Sequence, residues 1–407
     1  MCKTYYIDNL NGSISGDGLS QKTAVLSYKD VPICPGDTVL FRRGCVFLEP
    51  ITSPDGEKDK PITFSAYGDG EKPRFEASLD LNNASLWINT GGNIWEYSNE
   101  IKDEVCNIFL DDDFGWLCYE KEDLKHEGEW YYSHIGYTNR ECPESEKNKK
   151  RTLYLFCGEN PAKRYKKIKV SLFGVRYLAS ATKNVIFDNL SFKYSGVHGF
   201  FAINAKNITI RNCDFSYIGG AVWQRNRKIR FGNGAEFWDY AENILIENCT
   251  FDNIYDSCTT HQGGRNYETP KNITIRNNRF SNYGMAAYEI RDKVTYNTVF
   301  SGNICEKSGL GISVQSDERP RNSEIYPEPM GHHIFIWRIE NKTEGGSIKI
   351  CDNTFDKANF GSAIYSIIPP LEKGQFLLKN NTFNEVYPEL IKWENKYISL
   401  DKFNTLF

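Results

Sequence analysis

Between Asn184 and Phe383 the apolar positions recur in one phrase: a short alternating strand, then Asn-x-x-Phe, then a polar turn and a second strand. The clearest copies run from Val185 to Phe192, Ile208 to Phe215, Ile244 to Phe251 and Ile273 to Phe280. Three weaker copies place Gly302-Asn303-Ile304-Cys305, Asp352-Asn353-Thr354-Phe355 and Asn380-Asn381-Thr382-Phe383 in the same four positions. Successive copies begin 23, 36, 29, 25, 50 and 28 residues apart, so loops lengthen some of the units. Self-similarity at this period marks a solenoid, whose units bury their apolar faces only on one another. The alternation has period two, is rich in β-branched and aromatic residues, and contains no helical run, which predicts an all-β solenoid of the parallel β-helix kind.

Stacking such units turns the recurring residues into columns. Asn189, Asn212, Asn248, Asn277 and Asn380 are expected at a bend, where asparagine tolerates a left-handed backbone. Phe192, Phe215, Phe251, Phe280, Phe355 and Phe383 are expected to fill the lumen, with Cys305 as the exception.

The repeat does not cover the whole chain. Residues 1–98 read as an N-terminal cap and first coils, 99–180 as a β-rich insertion, and 181–407 as the central and C-terminal coils. The insertion region is rich in aromatics, among them Trp95, Trp116, Trp130, Tyr131 and Tyr132, which suit either a satellite core or sugar stacking. The run from Glu144 to Lys150 reads as a solvated hairpin tip. A second insertion, from Ser316 to about Gly346, carries Arg319, Arg321, His332, His333 and Trp337. Neighbouring histidines on a strand point to opposite faces and share an ion poorly.

Candidate chemistry lies on the second strand of the central coils. Glu236, Trp238, Thr259, His261, Glu289, Arg291, Ser313 and Gln315 share one outer face if Phe237, Thr260, Ile290 and Val314 point inward. Asp256 and Asp292 flank that face. The flanking strands Gly199–Ile203 and Ser362–Ile367 lack ionisable groups, so the polar cluster is confined to mid-stack. Glu236, Asp256 and Glu289 are the candidate catalytic acids; Trp238, His261, Arg291, Gln315 and Asp292 are the candidate substrate contacts. With coils about 4.8 Å apart, Glu236 and Glu289 stand roughly 9 to 10 Å apart along the axis. That spacing leans towards inversion at a sugar, and pairing of either with Asp256 leans towards retention. The two outcomes stay open on sequence alone.

Composition narrows the partners. A net charge of −4 with mixed signs argues against nucleic acid. No apolar run reaches membrane-span length, and Met1-Cys2-Lys3-Thr4-Tyr5-Tyr6 lacks the apolar stretch of a signal peptide. The expectation is a cytoplasmic protein, or an exported one whose signal has been removed. None of the twelve cysteines forms a Cys-x-x-Cys pair, and several sit inside the repeat, so buried free thiols are expected and no metal site.

Several motifs together resemble the right-handed parallel β-helix carbohydrate-active proteins. They are Tyr5-Tyr6-Ile7 with Gly16-Asp17-Gly18-Leu19-Ser20, the turn Pro35-Gly36-Asp37, Gly128-Glu129-Trp130-Tyr131 with Arg151-Thr152-Leu153-Tyr154-Leu155, and Gly232-Asn233-Gly234 before a Trp-bearing strand. The chain is most similar to the glycoside hydrolase family 141 type, over most of residues 3–320. That resemblance implies a hydrolase that cleaves a polysaccharide or oligosaccharide with acidic residues on the outer face and no cofactor. Similar helices belong to polysaccharide lyases and epimerases of uronate glycans, where Arg291 would be the base and Asp256, Asp292 and Asp317 calcium ligands, and to proteins that only bind glycans.

Overall fold

The structure, a computed structural model, describes residues 2–406 apart from 112, 138–141, 264–267, 293, 315–330, 338–345, 357, 359–362, 367–373, 385–390 and 394–395. The repeat phrase forms the coils of a parallel β-helix, and each coil contributes to three ladders. The first ladder holds the alternating strand of the phrase: Val185, Ile208, Ile244 and Ile273 stand in register on successive coils, with Ile62 before them. The second begins after the asparagine bend and carries Phe75, Phe192, Phe215, Phe251, Phe280, Cys305, Phe355 and Phe383 in register. The third contains Tyr177–Ser180, the first part of His198–Arg211, the first part of Ala235–Glu247, Ser257–Gln262, Ala286–Arg291, Ile334–Trp337, Ile364–Ser366 and Ile391–Trp393.

The asparagine bend takes the backbone expected of it. Asn189, Asn212, Asn248, Asn277 and Asn380 have φ between 53° and 62°, and Gly302 and Asp352 fill the same corner at 65° and 59°. A second corner, not picked out from the sequence, stacks Asn184, Asn207, Asn243, Asn272 and Asn297, whose amides bond in a line at 2.7 to 3.0 Å. In the lumen the Phe251 ring lies 4.6 Å from Phe215 and 5.1 Å from Phe280. At Cys305 the column is bridged by Phe300, which stacks on both Phe280 and Phe355. Phe383, at the end, is only partly buried.

Both ends of the lumen are covered. Val25, Tyr28 and Val31 join the core beside the first strand, and Phe403 of the terminal helix packs on Phe376 and Trp393. The strands that leave the coils run from Ser78 to Leu172 and make two small, largely antiparallel sheets. Trp130 and Tyr132 are fully buried there with Trp87, Leu153 and Leu155, so these aromatics form a satellite core; Trp116 remains exposed. Arg230 staples this body to the helix: it donates to Gly220 O, Cys106 O and Asn107 Oδ1 at 2.6 to 2.8 Å. Lys147, Lys149 and Lys150 are exposed on their turn. Among the described residues no cysteine forms a disulfide, and no described helix is long and apolar enough to cross a membrane.

Candidate functional site

The long Ala235–Glu247 strand turns a corner at Asp239, whose φ is 66°. Before the corner, Ala235 and Phe237 join the lumen core, and period-two alternation turns Glu236 and Trp238 outward. The register then runs Glu236, Thr260, Glu289, Phe335, Tyr365 along one outer column, and Trp238, Gln262, Arg291, Trp337 along the next. Of the acids and partners expected on this face, Glu236, Trp238, Glu289 and Arg291 therefore share it.

His261 does not. It pairs with Phe237 and Ile290, so it points into the lumen, where its Nδ1 meets the Tyr288 hydroxyl at 2.8 Å. Thr259 also points inward and donates to Ala287 O at 2.8 Å, while Thr260 and Gln262 occupy the outer face. The expected register of this strand was slipped by one residue, which exchanges every side chain between faces. Gly311–Val314 is likewise not the next strand but a short 3₁₀ turn, with Ile312 packed on Phe109 and Tyr255. The coil is completed instead by Ile334–Trp337. Ser313 is therefore removed from the face, and Gln315 and Asp317 lie outside the described residues.

Asp256 sits in the turn before its strand, its N–H donated to Gly232 O and its carbonyl taken by Met285 N–H. Asp292 has φ 70°, accepts the Gly263 N–H at 2.7 Å and lies 3.5 Å from Arg291 Nε, so it fixes a turn beside the site. Of the paired histidines, His332 stacks on Phe335 and meets Tyr365 edge-on, while His333 contacts Tyr283 and Asp356 O. Among the described residues no three His, Cys, Asp or Glu side chains converge to hold a metal ion.

Glu236 and Glu289 are joined by a chain of hydrogen bonds. Asn233 Nδ2 donates to Glu236 Oε2 at 2.8 Å, and Asn233 Oδ1 accepts the Ser257 N–H at 2.9 Å. Ser257 Oγ then donates to Glu289 Oε2 at 3.1 Å, and Trp337 Nε1 donates to Glu289 Oε1 at 2.6 Å. Arg291 donates to Gln262 Oε1 at 2.5 Å and lies over the Trp337 ring, while Gln262 also bonds to Glu236. Asp256 stands one residue before Ser257 on this path.

The two acids are placed differently. Burial pushes Glu236 up to about 7, against the opposing pull of Asn233, Arg291, Gln262 and Arg176. Each oxygen of Glu289 accepts a hydrogen bond, one from Ser257 Oγ and one from Trp337 Nε1. Glu236 and Glu289 are both buried, at 4% and 1% exposed. A separate cavity of about 200 Å³, lined by Glu104, His134, Cys142, Lys147 and Arg151 among others, belongs to the insertion and not to this pair.

Sequence reasoning missed His198, Asn233, Ser257, Gln262 and Trp337. Asn233 was in view between two glycines, and the alternation Ile334-Phe335-Ile336-Trp337 was the available signal for the true next strand.

Stacked parallel coils closed around one lumen define a β-helix protein. The chain belongs to the right-handed β-helix family, whose region matches residues 174–395, more than half of its length. Among solved structures it is similar to one described as a glycoside hydrolase, at 10% identity and a TM-score of 0.49, covering 97% of this chain and 96% of that one. It is also similar to an alginate lyase from Paenibacillus, at 10% identity, a TM-score of 0.40, and 86% and 93% coverage. A third is the lacto-N-biosidase from Eubacterium ramulus, at 12% identity, a TM-score of 0.36, and 94% and 68% coverage. Likenesses this distant bear on neither substrate nor reaction. Among curated protein sequences none matches the chain.

Proposed function

We propose that the protein is a glycoside hydrolase of the family 141 type, acting on a polysaccharide or oligosaccharide with Glu236 as general acid and Glu289 as general base. The observation that carries this reading is the Glu236–Asn233–Ser257–Glu289 chain, which couples one acid raised to about 7 with one whose oxygens both accept hydrogen bonds. A buried acid that holds its proton, paired with a second carboxyl group, is the usual division of labour in sugar cleavage.

In the proposed reaction Glu236 gives its proton to the glycosidic oxygen as the bond to the anomeric carbon breaks. Glu289 takes a proton from a water whose oxygen bonds to that carbon. The products are a hemiacetal and an alcohol, and proton exchange with solvent resets both acids. The acids lie two coils apart, roughly 9.6 Å between backbones, with only Thr260 between them. A carboxyl spacing close to that of the backbones would favour an inverting mechanism, in which a water fits between substrate and base. Arg291 and Trp238 would bound the sugar on the adjoining column.

A panel of neutral and uronate glycans, with product mass and anomeric configuration read by NMR, tests the proposal. Glu236→Gln and Glu289→Gln should each lower turnover at least about a hundredfold with the fold intact. Appearance of an unsaturated, ultraviolet-absorbing product would overturn it in favour of a lyase. Binding without turnover would point to a glycan-binding protein.

A further inference from the structure

His198 opens the third-ladder strand of the coil before Glu236, and nothing in the repeat requires a histidine there. Its ring is 6% exposed, stacked 5.3 Å from Phe201 and set edge-on to Phe231 at 5.8 Å. Its Nδ1 accepts the backbone N–H of Asn233 at 3.2 Å. A donor aimed at Nδ1 leaves no place there for a hydrogen, so the ring is neutral with its proton on Nε2.

Glu236 Oε2 lies 3.1 Å from that same Nδ1. Between a bare nitrogen and an ionised carboxylate this is a contact of two lone pairs, and burial removes the water that would screen it. Once Oε2 carries a proton the contact turns attractive, its hydrogen sharing the one Nδ1 lone pair with the Asn233 N–H in a three-centre bond. Asn233 cannot reverse its amide to relieve the contact, because Oδ1 is committed to the Ser257 N–H. Its Nδ2 therefore faces Oε2 at 2.8 Å, and a hydroxyl oxygen accepts that bond while donating its own hydrogen to His198. The charged groups around Glu236 act the other way. Arg176 on the preceding coil side and Arg291 two coils on both favour the ionised form, as do the amides of Asn233 and Gln262. Glu289, through Ser257 and Asn233, is the facing acid.

We propose that His198 is a positioning residue that keeps Glu236 in its acid form and fixes Oε2 as the oxygen that carries the proton. The inference rests on the reading of Glu236 as general acid, and it adds a residue of the neighbouring coil to the burial that raises this acid. Burial and Arg176 depress His198 to about 3, so it stays a bare acceptor throughout the range in which Glu236 titrates.

The test needs no substrate. In infrared difference spectra of wild type against Glu236→Gln, wild type should show the carbonyl band of a protonated buried carboxyl that disappears with a midpoint near 7. His198→Phe keeps the ring stack and removes the acceptor, and its midpoint should fall by at least about one pH unit. His198→Asn, which can place an oxygen close to the Nδ1 position, should recover most of that loss. Nitrogen NMR of the wild-type protein with labelled histidine, which carries six such residues, should show His198 Nδ1 unprotonated. A proton on Nδ1, or an unmoved midpoint in His198→Phe, overturns the proposal, and the NMR arm decides it if that variant fails to fold. If Glu236→Gln retains full turnover while the band titrates as expected, the hydrolase reading fails and the histidine–carboxyl pairing stands.

Discussion

The coils are held on the inside by a ladder of amides, and cutting one rung should be costly. Asn303 is fully buried. Its Oδ1 accepts from both the N–H and the Nδ2 of Asn278 at 2.9 and 3.1 Å, and its Nδ2 donates to Ile275 O and Asn353 Oδ1 at 3.0 Å. In Asn303→Ala, the Asn278 N–H loses its acceptor and the Ile275 carbonyl loses a donor, in a lumen that water does not reach. At about 1 to 3 kcal/mol for each of the two buried groups left unmet, the loss should be about 2 to 6 kcal/mol. The coils before this one supply a control, because Cys249 occupies the corresponding place and its side chain makes sulfur contacts to Cys213 N, Ile210 O and Glu247 O. Cys249→Ala removes one heavy atom and should cost about 1 kcal/mol, as for other single-group deletions. Urea unfolding followed by circular dichroism gives the two values, and hydrogen exchange reports the Asn278 amide. If Asn303→Ala falls within about 1 kcal/mol of Cys249→Ala and the Asn278 amide stays protected, the ladder is not what secures these coils.

Phe251→Ala should cost about 3 to 5 kcal/mol by the same assay, since the ring is stacked on both sides and 1% exposed. Glu236 has a folded value near 7 against 4.5 unfolded, so the native state holds its proton longer than the unfolded chain. Its contribution to stability is complete below about 4.5 and is lost as pH rises to about 7; the thermal midpoint of wild type relative to Glu236→Gln should fall across that window and level above it. His261→Ala should lower the thermal midpoint and leave turnover per folded molecule unchanged, whereas Gln262→Ala should do the reverse, and the opposite pair of results would restore the slipped register.

Much of the helix was legible because its repeats obey local rules that a sequence displays. Asn189, Asn212, Asn248 and Asn277 take a backbone that few other residues adopt, and the phenylalanines four places from each repeat's core strand announce the lumen. The inner ladder of Asn278, Asn303 and Asn353 was hidden for a physical reason. Its place holds Leu190, Cys213 and Cys249 in earlier coils, and a polar residue becomes acceptable there only when the next coil offers another amide to bond. No single copy of the phrase contains that information.

The placement of Glu236 and Glu289 on one outer column was legible and what connects them was not, and the strand Ser257–Gln262 shows why. Ser257, Thr259, Thr260, His261 and Gln262 offer no contrast between apolar and polar positions, so alternation cannot say which of them turn inward. The decision is made by partners: the lumen provides Ala287 O for Thr259 and the Tyr288 hydroxyl for His261, and the outer column provides Glu236 and Arg291 for Gln262. The next coil defeats the pattern differently, because the chain turns away after Ala286–Arg291 and completes its third ladder only at Ile334–Trp337. Trp337 thus reaches Glu289 across a long separation in sequence and a single step in the stack. The rigid repeat sets where the two acids stand; the departures from it, His198 and Asn233 before them and Trp337 after, are the residues that give the acids different surroundings.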